Sequence, residues 1–194
     1  MKCYSQSERL DTKIQLMNGK LLDVSLGDTS GANIFYSALK KNQTWIKKSI
    51  YKDQVFSLFD LEGNETVLYR QNEIIGDEYT IQQMRTFILG ERDALNGYSA
   101  KGTFYGGLAL GLGGGYASKG GVLLPASIPL IYSLSMQLPY IRIKEKSVSN
   151  MQIAGQEHYL IGYEKTARTR KTMNAILGSL LGAAIGTTVY ELTH

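Results

Sequence analysis

Few residues in this chain could carry out chemistry. The sequence has one cysteine, Cys3, and two histidines, His158 and His194. A disulfide framework or a thiolate metal site needs more than one cysteine, and a zinc site would need both histidines together with carboxylates. The sequence therefore predicts no bound metal ion.

The carboxylates and the glycine-rich segment do not suggest an active site either. The acidic pairs Asp77-Glu78 and Glu91-Asp93 lie near a helix start or on a solvated helix face, where charge is ordinary. In GLGGGYASKGG, Ser118 precedes Lys119, whereas a phosphate-binding loop places Gly-Lys before Ser or Thr. We therefore predict a protein that is not an enzyme, with no cofactor and no small-molecule substrate.

The first half of the chain has the pattern of a small β domain. Asn18-Gly19 separates two apolar runs, which predicts a two-residue hairpin turn in which both residues take positive φ. Further strands are predicted at 32–39, 44–51, 54–61 and 65–71. We expect an α+β protein whose residues 8–75 form an SH3-like barrel or an antiparallel sheet. This half is slightly acidic, which argues against a nucleic-acid surface.

At residue 80 the apolar spacing changes to that of a helix. Ile81, Met84, Phe87 and Ile88 recur at helical intervals, and Thr80 with Gln83 forms the pattern of a capping box. We predict an amphipathic connecting helix over residues 78–97.

Residues 98–194 form a glycine-rich apolar unit that is typical of a membrane protein. A crossing needs roughly 20 apolar residues, so the segments at about 102–118, 122–140 and 173–190 are three candidate spans. Ser118 to Gly121 would separate the first two spans. The alternatives are a soluble hairpin of apolar helices, or a re-entrant loop in place of the first two spans.

Glycine recurs at every fourth position in the first and third spans. The predicted helix-packing residues, spaced as in a glycine zipper, are Gly107, Gly111, Gly115, Gly178, Gly182 and Gly186. Each glycine costs a helix roughly 1 kcal/mol against alanine, which close backbone contact would offset. These ridges would pair the first span with the third, or one copy of the protein with another.

The two glycine ridges belong to a weak internal repeat. FILGERDA at 87–94 resembles YLIGYEKTA at 159–167, and each segment precedes a glycine-rich span. We interpret the repeated unit as a lead-in helix followed by a glycine-ridged span. With one span between them, the two ridged helices would run in the same direction.

The basic residues are concentrated in the second half. Residues 1–100 hold twelve Lys and Arg against thirteen Asp and Glu, whereas residues 101–194 hold nine against four. Basic side chains close to span ends favour anionic lipid headgroups. The predicted headgroup-binding residues are Arg142, Lys144, Lys165, Arg168, Arg170 and Lys171.

Several segments resemble a group of uncharacterised envelope proteins of Bacteroidota. The resemblance rests on LMNGKLLDVSL, KDQVFSLFDLEGNETVLYRQ and the paired GERDA and GYEKTA segments, and it covers most of the chain. CYSQSERLD also resembles the end of a secretory signal peptide, although no apolar region precedes it. The resemblance implies a membrane protein of the cell envelope, of either the inner or the outer membrane, and no activity.

These observations predict a membrane-anchored, non-enzymatic adaptor or accessory subunit that presents the β domain at a membrane surface. Its expected partners are membrane lipid and other membrane proteins or further copies of itself, and not nucleic acid. The alternative is a small oligomeric channel or permeability factor built from the glycine-ridged helices.

Overall fold

The computed structural model describes residues 10–72, 74, 76, 78–138 and 140–194. Cys3, Asp77 and residues 3–9 of the segment that resembles a signal peptide lie outside the described residues. The chain divides into two compact units, residues 1–92 and residues 93–194. The fold is α+β, as expected, with an antiparallel sheet followed by four α-helices.

The first unit contains a six-stranded antiparallel sheet with strand order β4-β3-β2-β1-β5-β6. The strands are β1 Thr12–Leu16, β2 Leu21–Leu26, β3 Asn33–Leu39, β4 Trp45–Tyr51, β5 Val55–Phe59 and β6 Glu65–Val67. Among the described residues no ladder joins β4 to β6, so the pairings give an open sheet with these two strands at its edges.

The turn between β1 and β2 differs from the expected two-residue turn. Gly19 has a φ of 78°, but Asn18 is not among the described residues with positive φ. The Gly19 amide donates to the carbonyl of Leu16, and the Leu16 amide donates to the carbonyl of Lys20. This is a three-residue loop in which only the glycine is left-handed. The prediction of two positive φ values was therefore wrong, although the position of the turn was right.

Two apolar clusters hold the first unit together. On one face of the sheet, buried side chains from β1, β2, β3 and β5 pack together; they are Ile14, Leu16, Val24, Ile34 and Val55. The second cluster joins Phe56 and Tyr69 to the first turns of helix α1, through Met84, Phe87 and Ile88. Burial of these side chains is the main stabilising contribution to this unit.

Helix α1 spans Ile81–Gly97 and begins with the expected capping box. The Thr80 amide donates to the side-chain oxygen of Gln83 at 2.8 Å, and the Gln83 amide donates to the Thr80 hydroxyl at 3.3 Å. These reciprocal bonds satisfy amides that a helix start otherwise leaves without partners.

The second unit contains α2 Lys101–Ala117, α3 Leu123–Ser135 and α4 Glu157–Thr193, with a short 3₁₀ segment at Glu145–Ser147. Helix α3 has 13 residues and is shorter than the candidate span 122–140. Its length is about 20 Å, against roughly 30 Å for a hydrocarbon core. Pro139, within that candidate span, lies outside the described residues.

The two copies of the internal repeat differ in helix structure. Helices α1 and α2 are separated by residues 98–100, whereas α4 runs for 37 residues without a break. The second lead-in segment and the third candidate span are therefore one continuous helix. Basic residues between them are good helix formers, so nothing in that stretch of sequence stops the helix.

Candidate functional site

The glycines of α2 lie against the backbone of α4. A Cβ atom added to Gly111 would lie 2.2 Å from the carbonyl oxygen of Ser179, and one added to Gly115 would lie 2.5 Å from the carbonyl oxygen of Ala183. A Cβ added to Gly107 would lie 2.9 Å from the carbonyl oxygen of Ala175. A side chain at any of these positions would force the two helices apart.

The glycines of α4 make the reciprocal contact. A Cβ added to Gly178, Gly182 or Gly186 would lie 2.1, 2.2 or 2.3 Å from a backbone oxygen of α2. These oxygens belong to Phe104, Leu108 and Leu112 respectively. Successive turns of α4 meet successive turns of α2 in the same order, so the two helices run parallel.

A second row of small residues on α4, which was not among the predicted packing residues, takes part in the same contact. Ala175, Ser179, Ala183 and Thr187 are also four residues apart, and their backbone atoms meet the α2 glycines. Ser179 is fully buried, and its hydroxyl donates to the carbonyl of Ala175 at 2.6 Å. The signal was present in the sequence as this second four-residue spacing of small side chains.

Helix α3 packs antiparallel to α2. The Tyr132 hydroxyl donates to the carbonyl of Thr103 at 3.1 Å, near the start of α2. Ile128 lies beside Gly114, near the end of α2. The turn between α2 and α3 contains Lys119 and Gly120, which both have positive φ.

Large apolar side chains cover the outward surface of these three helices. In the second unit, those exposed between the two ends of the helices include Tyr105, Leu110, Leu124, Leu130, Ile131, Leu134, Leu177, Leu180, Leu181, Ile185 and Val189. Among the described helices, α4 is long and apolar enough to cross a membrane by its length and composition. Only 33% of its apolar 18-residue window is buried inside the protein.

Charged residues lie on both sides of this apolar surface. On α2 and its following turn, 17 residues separate Lys101 from Lys119. On α4, 19 residues separate Lys171 from Glu191. At 1.5 Å per residue these stretches are about 26 and 28 Å long. We call the end with Lys101 and Lys171 the near end, and the end with Lys119 and Glu191 the far end.

Aromatic rings lie at both ends of the apolar stretch. At the far end, Tyr116 and Tyr190 make an edge contact with ring centroids 5.8 Å apart. At the near end, the rings of Phe104 and Tyr105 are 5.6 Å apart. Tyrosines at the two ends of an apolar segment are typical of helices that cross a membrane.

The six basic residues predicted to bind headgroups do not occupy equivalent environments. Arg142, Lys144 and Lys165 are exposed, whereas Lys171 is buried. Arg168 pairs with Glu164 at 3.1 Å and also donates to the carbonyl of Gln137. Three of the six therefore lie on the surface of the protein.

Arg170 has a structural partner at the end of α1. Its guanidinium donates to the carbonyls of Tyr98 at 2.9 Å and Ala94 at 3.3 Å. These are carbonyls in the last turn of α1 and just after it, where a cation is favourable. Arg170 therefore helps to fix the lead-in segment of the first repeat to the helix of the second.

A shallow cleft of about 540 Å³ opens beside Arg170 at the near end. Its lining combines the cations of Lys101 and Arg170 with the polar side chains of Ser99 and Asn174 and the ring of Phe104. The cleft therefore places two cations beside aromatic and polar side chains.

A buried polar cluster holds the lead-in segments together. One oxygen of Asp93 accepts hydrogen bonds at 2.8 Å from the Tyr159 hydroxyl and from both the amide and the hydroxyl of Ser149. Ser147 and Tyr163 share another hydrogen bond of 2.7 Å. Burial and the bond to Asp93 raise the pKa of Tyr159 well above its ordinary value. The Tyr159 hydroxyl is therefore neutral at physiological pH.

Most side chains of this cluster are shielded from solvent, and Ser149 is exposed. Tyr159 is fully buried, and Tyr163 and Ser147 are buried beside it. Within the described residues, no group of three His, Cys, Asp or Glu side chains is placed to hold a metal ion.

Comparison of the chain with protein families, with curated proteins and with solved structures finds no match.

Proposed function

We propose that the chain is a membrane-anchored, non-enzymatic adaptor of the cell envelope. Its helices α2, α3 and α4 would insert into lipid, and its β unit would be presented at the membrane surface. The envelope assignment rests on the resemblance of LMNGKLLDVSL and the paired GERDA and GYEKTA segments to envelope proteins of Bacteroidota.

The observation that carries the proposal is the exposure of apolar side chains on α4. A core helix of a soluble protein is mostly buried, whereas two thirds of the apolar window of α4 is not. In water, an apolar surface that extends over three helices would be strongly unfavourable. In lipid, the same surface needs no further partner.

The dimensions of the helical unit also support insertion. The apolar stretches of about 26 and 28 Å on α2 and α4 approach the thickness of a hydrocarbon core, roughly 30 Å. Helices in lipid associate through close packing of small residues, as the six glycines do here. The shorter helix α3 would return through the bilayer against α2.

Insertion of this kind gives a definite topology. Because α2 and α4 run parallel, both enter the membrane from the near end. Residues before Lys101 and the basic loop between α3 and α4 would lie on one side of the membrane, and His194 on the other. Exposed Arg142, Lys144 and Lys165 would meet headgroups on the side of the β unit.

The channel alternative receives less support from the helical unit. All six ridge glycines contact the other helix of the same chain, so they are not available to join copies. The hydroxyls of Ser127, Ser133 and Ser135 donate to carbonyls of their own helix. Ser133 is also buried, so these serines do not form a continuous exposed polar stripe along α3.

The proposal predicts different effects for one substitution at two exposed positions of α4. Leu181 lies within the apolar stretch, and Ile161 lies before it; both are exposed. Leu181→Lys should disfavour insertion by about 2.5–3.5 kcal/mol, because it places a charge deep in lipid. Ile161→Lys should leave insertion unchanged. Glycosylation-site mapping of the full chain in microsomes measures the inserted fraction, and equal insertion of the two variants would contradict the proposal.

A further inference from the structure

The β3–β4 hairpin carries a concentration of positive charge that the composition of the first half conceals. Residues 29–52 contain five lysines and no Asp or Glu. The lysines are Lys40, Lys41, Lys47, Lys48 and Lys52. The other residues among the first hundred include seven Lys and Arg and thirteen Asp and Glu. The net charge of residues 1–100 is therefore minus one.

The register of the hairpin places several large side chains on one face. Leu39 pairs with Trp45, Ser37 with Lys47, and Phe35 with Ser49. Side chains alternate along a strand, and Ile34 is fully buried on the opposite face. We call the face that carries Phe35, Leu39, Trp45, Lys47 and Tyr51 the outer face of the hairpin.

The outer face is open to solvent although much of it is apolar. Phe35 is 50% exposed, Leu39 43% and Tyr51 60%. β4 is an edge strand, so no further strand of the described sheet pairs beside it. Lys47 lies within the face, and Lys40 and Lys41 lie in the turn at one end of it.

We propose that the outer face of the hairpin binds anionic lipid headgroups, with its aromatic and aliphatic side chains entering the boundary between headgroups and acyl chains. Lys47 on the outer face and Lys40 and Lys41 in its turn complement an anionic surface, and aromatic rings are favourable at this depth of a bilayer. Lys48 lies on the opposite face, and Lys52 lies near Asp28. Lys47 can keep its ammonium among the phosphates while its alkyl chain is buried.

The same residues fit nucleic acid less well. All five cations are lysines, whereas arginine provides the forked geometry that reads phosphates and bases most effectively. Exposed Leu39 offers no ring on which a base could stack, but it gains free energy on entering lipid.

This inference rests on the proposed function, because the inserted helices would keep the hairpin close to a bilayer. It adds that the β unit itself touches the lipid. Two separate measurements distinguish the two ideas. Flotation of the chain with vesicles after an alkaline wash reports on insertion of the helices, whereas the fluorescence of Trp45 reports on the hairpin.

Trp45 is the single tryptophan of the chain, so its fluorescence has no competing source. The full chain would be reconstituted in phosphatidylcholine vesicles with and without phosphatidylglycerol, using lipids brominated near the glycerol end. We expect strong quenching of Trp45 only when phosphatidylglycerol is present. Each lysine near an anionic surface contributes about fivefold to binding, so Lys47→Glu on the outer face with Lys41→Glu in the turn should shift the hairpin at least about 25-fold toward the undocked state. Lys48 pairs with Tyr36 and lies on the opposite face, so it is left unchanged.

The matched control replaces two exposed cations of the same unit outside the hairpin, Lys20→Glu with Arg70→Glu. It should retain the quenching. Equal quenching in neutral and anionic vesicles, no quenching in either, or an equal loss in the control pair would overturn the inference. Quenching of Trp45 by an oligonucleotide in place of vesicles would also overturn it and assign the face to nucleic acid.

Discussion

Gly111 and Gly113 provide a matched pair of substitutions that isolates the packing of α2 against α4. They lie two residues apart on the same helix, and Gly→Ala improves helix propensity by up to about 1 kcal/mol at either position. A Cβ at Gly113 would meet no atom within 4 Å, whereas a Cβ at Gly111 would lie 2.2 Å from the carbonyl oxygen of Ser179. The two changes therefore differ mainly in their contact with α4.

The size of the effect follows from the distance that the helices must move. An ordinary contact needs about 3.4 Å, so Gly111→Ala would displace one backbone by about 1 Å, and overpacking of this kind costs typically 1–3 kcal/mol. After subtraction of the full gain in helix propensity, we expect Gly111→Ala to lower the free energy of unfolding by up to about 2 kcal/mol. Gly113→Ala should be neutral or stabilising.

The assay is unfolding of the helical unit in mild detergent, followed by circular dichroism at the helix band. Trp45 fluorescence would not serve here, because Trp45 lies in the other unit. If Gly111→Ala is as stable as Gly113→Ala, the close contact between α2 and α4 does not hold this unit together, and the reasoning is refuted.

The remaining predictions concern the buried cluster around Asp93. Tyr159→Phe removes one of three hydrogen bonds to the buried carboxylate oxygen of Asp93. The free energy of unfolding, measured by thermal denaturation, should therefore fall by about 1–3 kcal/mol. An unchanged free energy of unfolding would show that this hydrogen bond does not stabilise the fold. Because folding raises the pKa of Tyr159, its neutral form stabilises the fold below about pH 10, and this stability is lost as the pH rises further. A titration from neutral to strongly alkaline pH should therefore show a steeper loss of stability in the wild type than in Tyr159→Phe.

Local patterns were the part of the fold that the sequence predicted well. The capping box at Thr80 and Gln83 was confirmed because it depends only on residues three apart. The α+β class and the positions of most strands were confirmed for the same reason. Strand β6 ends at Val67, well short of the predicted 71. The regular pairing stops there because the amides of Leu68 and Tyr69 both donate to the carbonyl of Phe56.

The sequence patterns did not predict contacts between residues that are distant in the chain. The expectation that Glu91 and Asp93 lie on a solvated helix face was wrong, because both are buried. Asp93 accepts a hydrogen bond from Tyr159, which is 66 positions away, and nothing local indicates that they would meet. Arg170 was expected to bind lipid, but its backbone partners Ala94 and Tyr98 become visible only when α1 and α4 lie together. The net charge of residues 1–100 is close to zero, so it gave no indication of the five lysines in the β3–β4 hairpin.

The most direct test of the account is the behaviour of the full chain made without detergent, in the presence and absence of lipid vesicles. With vesicles, the chain should float with the lipid and stay there through an alkaline carbonate wash, because the apolar surface of α2, α3 and α4 is held in the bilayer. Without vesicles it should aggregate until detergent is added. A full chain that is monodisperse in plain buffer and remains with the soluble fraction in the presence of vesicles would contradict membrane anchoring.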